Sequence, residues 1–156
     1  MYRKILVPLD GSQRAEAILP HVEDLANRFK SEVFLVQVLE PVPATLGLAD
    51  PVPPVIDQAL MDRLYKDSRS YLEKIQARLR KRGVTAHVRL LVGQVVPSIV
   101  DIAEREKVDL VAIASHGRSG LSRFYYGSVA AGVLHRIERP LLIIRSAPSG
   151  EENATK

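Results

Sequence analysis

Glycine, serine and arginine crowd one short stretch of this chain. Gly117, Gly120 and Gly127, three of the nine glycines, fall within about eleven residues, with Arg118, Ser119 and Arg123 among them and Ser115 and Ser128 at the flanks. Glycine lets backbone amides approach phosphate oxygens, and a helix N-terminus adds aligned N–H donors and the positive end of a dipole. An apolar run precedes the stretch and a helical pattern opens at its end, so its chemistry is that of a phosphate cradle. A loop that merely turns the chain is the plainer alternative. A second segment, Pro8-Leu9-Asp10-Gly11-Ser12, follows the first apolar run and brings in a carboxylate. Asp10 can accept hydrogen bonds from a ligand; it can equally cap the first helix or brace the turn through nearby backbone.

The elements that must position these two segments alternate in type. Residues 4–7 read as a short strand. From residue 12 to 29, Ile18, Val22, Leu25 and Phe29 recur at helical spacing, and Pro20 should kink or divide that helix. Val33-Phe34-Leu35-Val36 with Val38 is a second strand, apolar enough to be covered on both faces. Leu60, Leu64, Tyr71 or Leu72, Ile75 and Leu79 mark a long helix that Gly83 stops. Residues 84–92 form a third strand and 98–107 a third helix, with Pro97 near its start. Residues 108–114 and 140–144 complete the strands, with a last helix over about 127–136. This pattern predicts an α/β, Rossmann-like fold: one open parallel sheet of five strands in the order 3-2-1-4-5, with helices on both faces. Residues 1–146 make one domain, and the polar stretch 147–156 is expected to be a disordered tail. The five prolines within 41–54 exclude a helix or central strand there and leave a surface connection or a flap over a ligand.

In an open parallel sheet, ligands bind beyond the carboxyl ends of the strands, where the strand order reverses. Both polar segments map there. Better-known phosphate motifs are missing: the chain has no G-x-x-x-x-G-K-[ST], and no G-x-G-x-x-G follows its first strand. Leu91-Val92-Gly93 ends the third strand without the aspartate a receiver domain needs. His116 has no second histidine or carboxylate at ligand spacing, so no metal is assigned to it. His116 and Asp10 form no acid–histidine pair beside the cradle, which points to binding rather than rapid catalysis.

The formal charge is +4. Most basic residues alternate with acids, and the one run, Arg78 to Arg82, closes the long helix, where cations complement the dipole. No aromatic residues interleave it to stack on bases, so nucleic acid is not an expected partner. With no cysteine, no disulfide or thiolate metal site can form. No apolar stretch reaches ~18 residues, so no membrane association is expected, and a cytoplasmic location is.

Ile5-Leu6-Val7-Pro8-Leu9-Asp10-Gly11-Ser12 resembles the opening of the universal stress protein family. The stretch from Ala114 through Gly117 to Gly127 and Ser128 resembles that family's nucleotide motif, G-x2-G-x9-G-[ST], with alanine in place of the first glycine. The likeness runs to Ile144. It implies ATP, AMP or ADP lying across the switch point, with any Mg2+ held by the phosphates. Asp10, beside Pro8 and Leu9, would accept from the ribose or adenine side. Val38 and Ile113 would pack against adenine, and Gly117, Gly127, Ser128 and the amides of Val129 and Ala130 would hold phosphates, with Arg118 and Arg123 neutralising charge. The plainer readings stay open: Ser128 as a helix cap, and Val38 and Ile113 as ordinary core. Ala114 should narrow the site floor at most, because a strand end has negative φ. The resemblance also implies a homodimer through the edge strand Leu141-Leu142-Ile143-Ile144 and a nucleotide-dependent switch acting on an unnamed protein partner. The alternatives are a nucleotide-independent interaction module and a slow ATPase.

Overall fold

The computed structural model describes residues 1–44, 55–115 and 127–145. Five strands form a parallel sheet: β1 (Lys4–Pro8), β2 (Glu32–Leu39), β5 (Thr85–Val92), β6 (Leu110–Ala114) and β7 (Leu141–Ile144). Their order is β5-β2-β1-β6-β7, the 3-2-1-4-5 order expected from the sequence. β1 and β2 are apolar runs because both faces of a central parallel strand are covered. Side-chain alternation sorts them. Ile5, Val7, Val33 and Leu35 pack with α1 (Gln13–Glu16), α2 (Leu19–Phe29) and α3 (Gln58–Lys81). Leu6, Phe34 and Val36 face the other way, against α4 (Val95–Arg105) and α5 (Ser128–Arg136). The result is three layers with an apolar core on each side of the sheet.

Proline and glycine set the helix boundaries. The helical stretch over 12–29 is divided, as expected from Pro20, into α1 and α2, with Pro20 in the first turn of α2, where its missing N–H costs no intrahelical bond. α4 starts at Val95, three residues before the expected Ser98, and ends at Arg105 rather than 107. Pro97 is tolerated for the same reason as Pro20, since the first N–H groups of a helix have no partner inside it. α3 is capped by Asp57, whose Oδ1 accepts from Leu60 N at 2.9 Å. It stops where Gly83 takes φ 81° and donates its N–H to Arg80 O, with the Val84 N–H going to Leu79 O. The basic run at its end is solvated and partly paired: Arg78 meets Glu16 and Arg82 meets Glu23, each at 3.3 Å.

At the amino ends of the strands, Asp109 Oδ2 accepts from Arg3 N at 2.8 Å and Lys4 N at 2.9 Å, fixing β1 beside β6. The proline-rich segment contributes a two-residue antiparallel ladder, β3 (Pro43–Ala44) with β4 (Val55–Ile56), separate from the main sheet. Residues 45–54, the loop 116–126 and the stretch from 146 onward, including the expected tail, lie outside the described residues.

Candidate functional site: a cleft at the carboxyl ends of β1, β2 and β6

From β1 the chain extends β2 outward to β5, then returns to β6 on the other side of β1. The loops leaving β1 and β6 therefore diverge, and a cleft of about 140 Å³ opens between them. Pro8, Leu9 and Asp10 line it from β1, Val36 and Val38 from β2, and Ile113, Ala114 and Ser115 from β6. Gly127, Ser128, Val129 and Ala130 line it from the start of α5. These include ten of the twelve residues singled out from the sequence. The other two, Gly117 and Arg118, lie outside the described residues, as do His116 and Arg123.

Sequence reasoning missed Ala15, Val36, Val95 and Ile99 and gave Ser115, at the flank of the cradle, no ligand role; these five complete the lining. Val95 and Ile99 come from α4 and close the apolar side over the sheet. Helical spacing puts Ile99 on an apolar helix face with Ile102 and Ala103; only the placing of α4 over β2 distinguishes core from wall.

The turn after β1 is held from three directions. Leu9 N donates to Val36 O at 2.7 Å, continuing the ladder by one residue past β1. Gly11 turns the chain at φ 83°, a left-handed conformation that other side chains rarely adopt. Asp10 Oδ1 then accepts from Ser12 N at 2.9 Å and Ser12 Oγ at 2.6 Å. Asp10 thus does brace the turn, and it faces the cleft as well. Ser12, not Asp10, caps α1, with Ala15 N donating to its Oγ at 3.1 Å.

Parallel pairing sends the amide and carbonyl of each residue to one side, alternating along the strand. The Val36 carbonyl serves β1, and the Leu39 carbonyl serves the opposite side, accepting from Gly93 N at 2.9 Å. Val38 therefore directs its N–H and C=O to the β1 side, beyond the point where β1 has ended. A donor and an acceptor on neighbouring positions of one backbone edge face the cleft there.

The phosphate-sized end is made by α5. Ser115 N donates to Ile144 O at 2.7 Å, and Gly127 N to Ser115 O at 2.6 Å, suspending the helix start from the ends of β6 and β7. Gly127 is the N-cap, with no side-chain cap bond, which corrects the reading of Ser128 as a cap: Ser128 is the first helical residue. The amides of Ser128, Val129 and Ala130 are among the four that a helix leaves without intrahelical partners. A positive dipole end accompanies them. Ala114 is extended and buried in register with Ile144, and among the described residues only Lys30 and Lys107 have positive φ outside glycine. The alanine imposes no backbone strain.

Behind the turn, the Tyr71 hydroxyl is buried without a partner at hydrogen-bond geometry. Burial chiefly, then the Glu16 carboxylate and more weakly that of Asp10, push its pKa well above the usual phenol value; Arg78 opposes them. No cluster of three or more metal-ligating side chains occurs among the described residues. Among them, no helix is long and apolar enough to cross a membrane.

A family model described as the universal stress protein family matches residues 1–145. Universal stress protein MJ0531 of Methanocaldococcus jannaschii is 31% identical over 146 residues, spanning 93% of this chain and 83% of that protein. The solved structure of hypothetical protein MJ0577, from the same organism, has a TM-score of 0.79 at 28% identity and covers 96% of this chain and 99% of its own. A universal stress protein family protein from Arabidopsis thaliana, solved with AMP bound, gives a TM-score of 0.67 at 18% identity over 94% of this chain and 96% of its own, a likeness of fold. The family model spans nearly the whole chain and the MJ0531 relative is covered over most of its length: the chain belongs to the universal stress protein family.

Proposed function

We propose that the cleft binds ATP or a related adenine nucleotide, and that occupancy acts as a switch on contacts with other chains. One observation carries the reading: an apolar slot, a fixed carboxylate and an uncapped helix N-terminus line the same cleft. Each suits a different part of one molecule. A purine fits between Val36, Val38, Ile99 and Ile113, and the Val38 carbonyl and amide match the amino group and ring nitrogen of adenine. Asp10 suits the sugar hydroxyls, being an acceptor when ionised. The amides of Ser128, Val129 and Ala130 suit phosphate oxygens, a role we extend to Gly117, with Arg118, Arg123 and any phosphate-held Mg2+ neutralising the charge. The AMP of the Arabidopsis relative belongs to that protein but fits the same reading. The switch is supported by the chain of bonds from Gly127 through Ser115 to Ile144, which ties the phosphate end to the edge strand β7. A cytoplasmic location agrees with a chain that has no cysteine.

Binding rather than turnover is the role we assign, because the sequence offers no acid–histidine pattern beside the glycine-rich stretch. Calorimetric titration of the full chain with ATP and Mg2+ should give saturable heat, which Gly127→Val abolishes by blocking backbone approach to phosphate. Phosphate release in the same preparations should stay below about one per minute, far under the ~10 per second of typical enzymes. Absence of binding at several millimolar would refute the nucleotide reading. Release faster than one per second, lost in Asp10→Ala, would restore the enzyme.

A further inference from the structure

The geometry points to Ser12 as the residue that positions the Asp10 carboxylate to read a ribose hydroxyl, an inference that rests on the nucleotide reading above. A serine hydroxyl carries one proton and accepts through its lone pairs. Ala15 N–H is directed at Ser12 Oγ at 3.1 Å, so the proton is left to Asp10 Oδ1, which stands 2.6 Å away. Ser12 N reaches the same oxygen at 2.9 Å. One residue thus places two donors on one carboxylate oxygen, and the one from the hydroxyl is short and charge-assisted. The residue itself is held, since its backbone starts α1 and its hydroxyl caps that helix. Asp10 is therefore fixed in one orientation at the cleft wall before any ligand arrives.

An ionised carboxylate only accepts, so the ligand group it reads must donate. The donors of an adenine nucleotide are its ribose hydroxyls and its amino group. The amino group has an acceptor at the apolar end in the Val38 carbonyl, which leaves the ribose to Asp10. Ser12 in this role sets sugar specificity without touching the ligand.

The test compares ATP, 2′-deoxyATP and 3′-deoxyATP by calorimetry on the full chain. Loss of the hydroxyl that Asp10 reads should weaken wild-type binding by about tenfold or more, the scale of a hydrogen bond to a charged group. Ser12→Ala should bring that ratio close to one, and Ser12→Thr, which keeps the hydroxyl, should preserve it. A purely structural Ser12 would weaken all three ligands alike and leave the ratio unchanged. Ser12→Gly separates hydroxyl from cap, because glycine caps a helix nearly as well as serine, and it serves if Ser12→Ala fails to fold. A wild-type ratio in Ser12→Gly, or equal binding of all three ligands by the wild type, overturns the role of Ser12 and leaves the nucleotide site standing. A wild type that binds none of them removes both.

Discussion

Tyr71 carries a buried hydroxyl with no partner at hydrogen-bond geometry, near the carboxylates of Glu16 and Asp10. An unpaired buried hydroxyl costs roughly 1–3 kcal/mol by protein mutational measures. Tyr71→Phe should therefore melt at or above the wild-type temperature at neutral pH. The same burial, with the carboxylates of Glu16 and Asp10, raises the phenol's pKa in the folded state. In the unfolded chain the phenol ionises near pH ~10, while in the fold it stays protonated. Stability from this group is whole below pH ~10 and is lost as the pH rises beyond it. Between about pH 9 and 11 the wild type should lose more stability than Tyr71→Phe. Thermal melts of both proteins across that window decide the matter; parallel curves, or a variant several degrees less stable at neutral pH, would refute it. The sequence marked Tyr71 as a point on a helical stripe, but its polar end left no signal, because whether a phenol finds a partner depends on what stands opposite. Asp10 was more legible. A carboxylate between a strand and a glycine turn had three readings, ligand contact, helix cap and turn brace; Ser12 takes the cap and shows the brace, while the cleft keeps the first open.

Between elements, the seating of α5 on α4 depends on Gly132. A methyl at that position would stand 2.8 Å from Val96 Cγ2 and 3.3 Å from Cγ1. Valine in a helix has one strongly preferred rotamer and cannot swing aside. Replacing a helical glycine by alanine ordinarily gains about 1 kcal/mol; here overpacking of about 1–3 kcal/mol offsets or exceeds it. Gly132→Ala should lower stability in urea, and removing Val96 as well should recover the loss relative to Val96→Ala alone. It should also weaken nucleotide binding, since the start of α5 forms one end of the cleft. A Gly132→Ala more stable than wild type would mean that the helices part freely. This contact explains what was hidden in the sequence. β1, β2 and β6 were readable because strands covered on both faces are uninterrupted apolar runs. Val95 and Ile99 were not readable as cleft wall, because an apolar wall and an apolar core require the same residues. The start of α4 was misjudged by taking Pro97 for a boundary, although the first turn of a helix needs no proline N–H. The β3–β4 ladder is two residues long, too short for any period, and the prolines around it exclude only a helix or a central strand.

For the whole molecule, a parallel sheet gathers every carboxyl end on one side, so the cleft and the free edge of β7 share an end. Among the described residues β7 pairs only with β6. Val111 N donates to Pro140 O, and Ser115 N to Ile144 O, so residues 140, 142 and 144 spend their backbone groups inward. Leu141 and Ile143 consequently direct theirs outward. All four side chains of β7 are half-buried apolar groups, and no charge or bulge within the strand blunts that edge. A two-fold axis beside it would pair β7 antiparallel with its own copy and cover those side chains from both subunits. The expected particle in light scattering at micromolar concentration is therefore twice the 17.3 kDa chain. Ile143→Pro deletes an outward donor and leaves the ladder to β6 intact, so it should shift the mass towards monomer with little loss of helical signal. Ile144→Pro is the contrasting case. Its amide faces β6, so that substitution should unfold the edge itself rather than separate subunits. A monomeric wild type, or a dimer indifferent to Ile143→Pro, would mean that this edge is not where two copies meet.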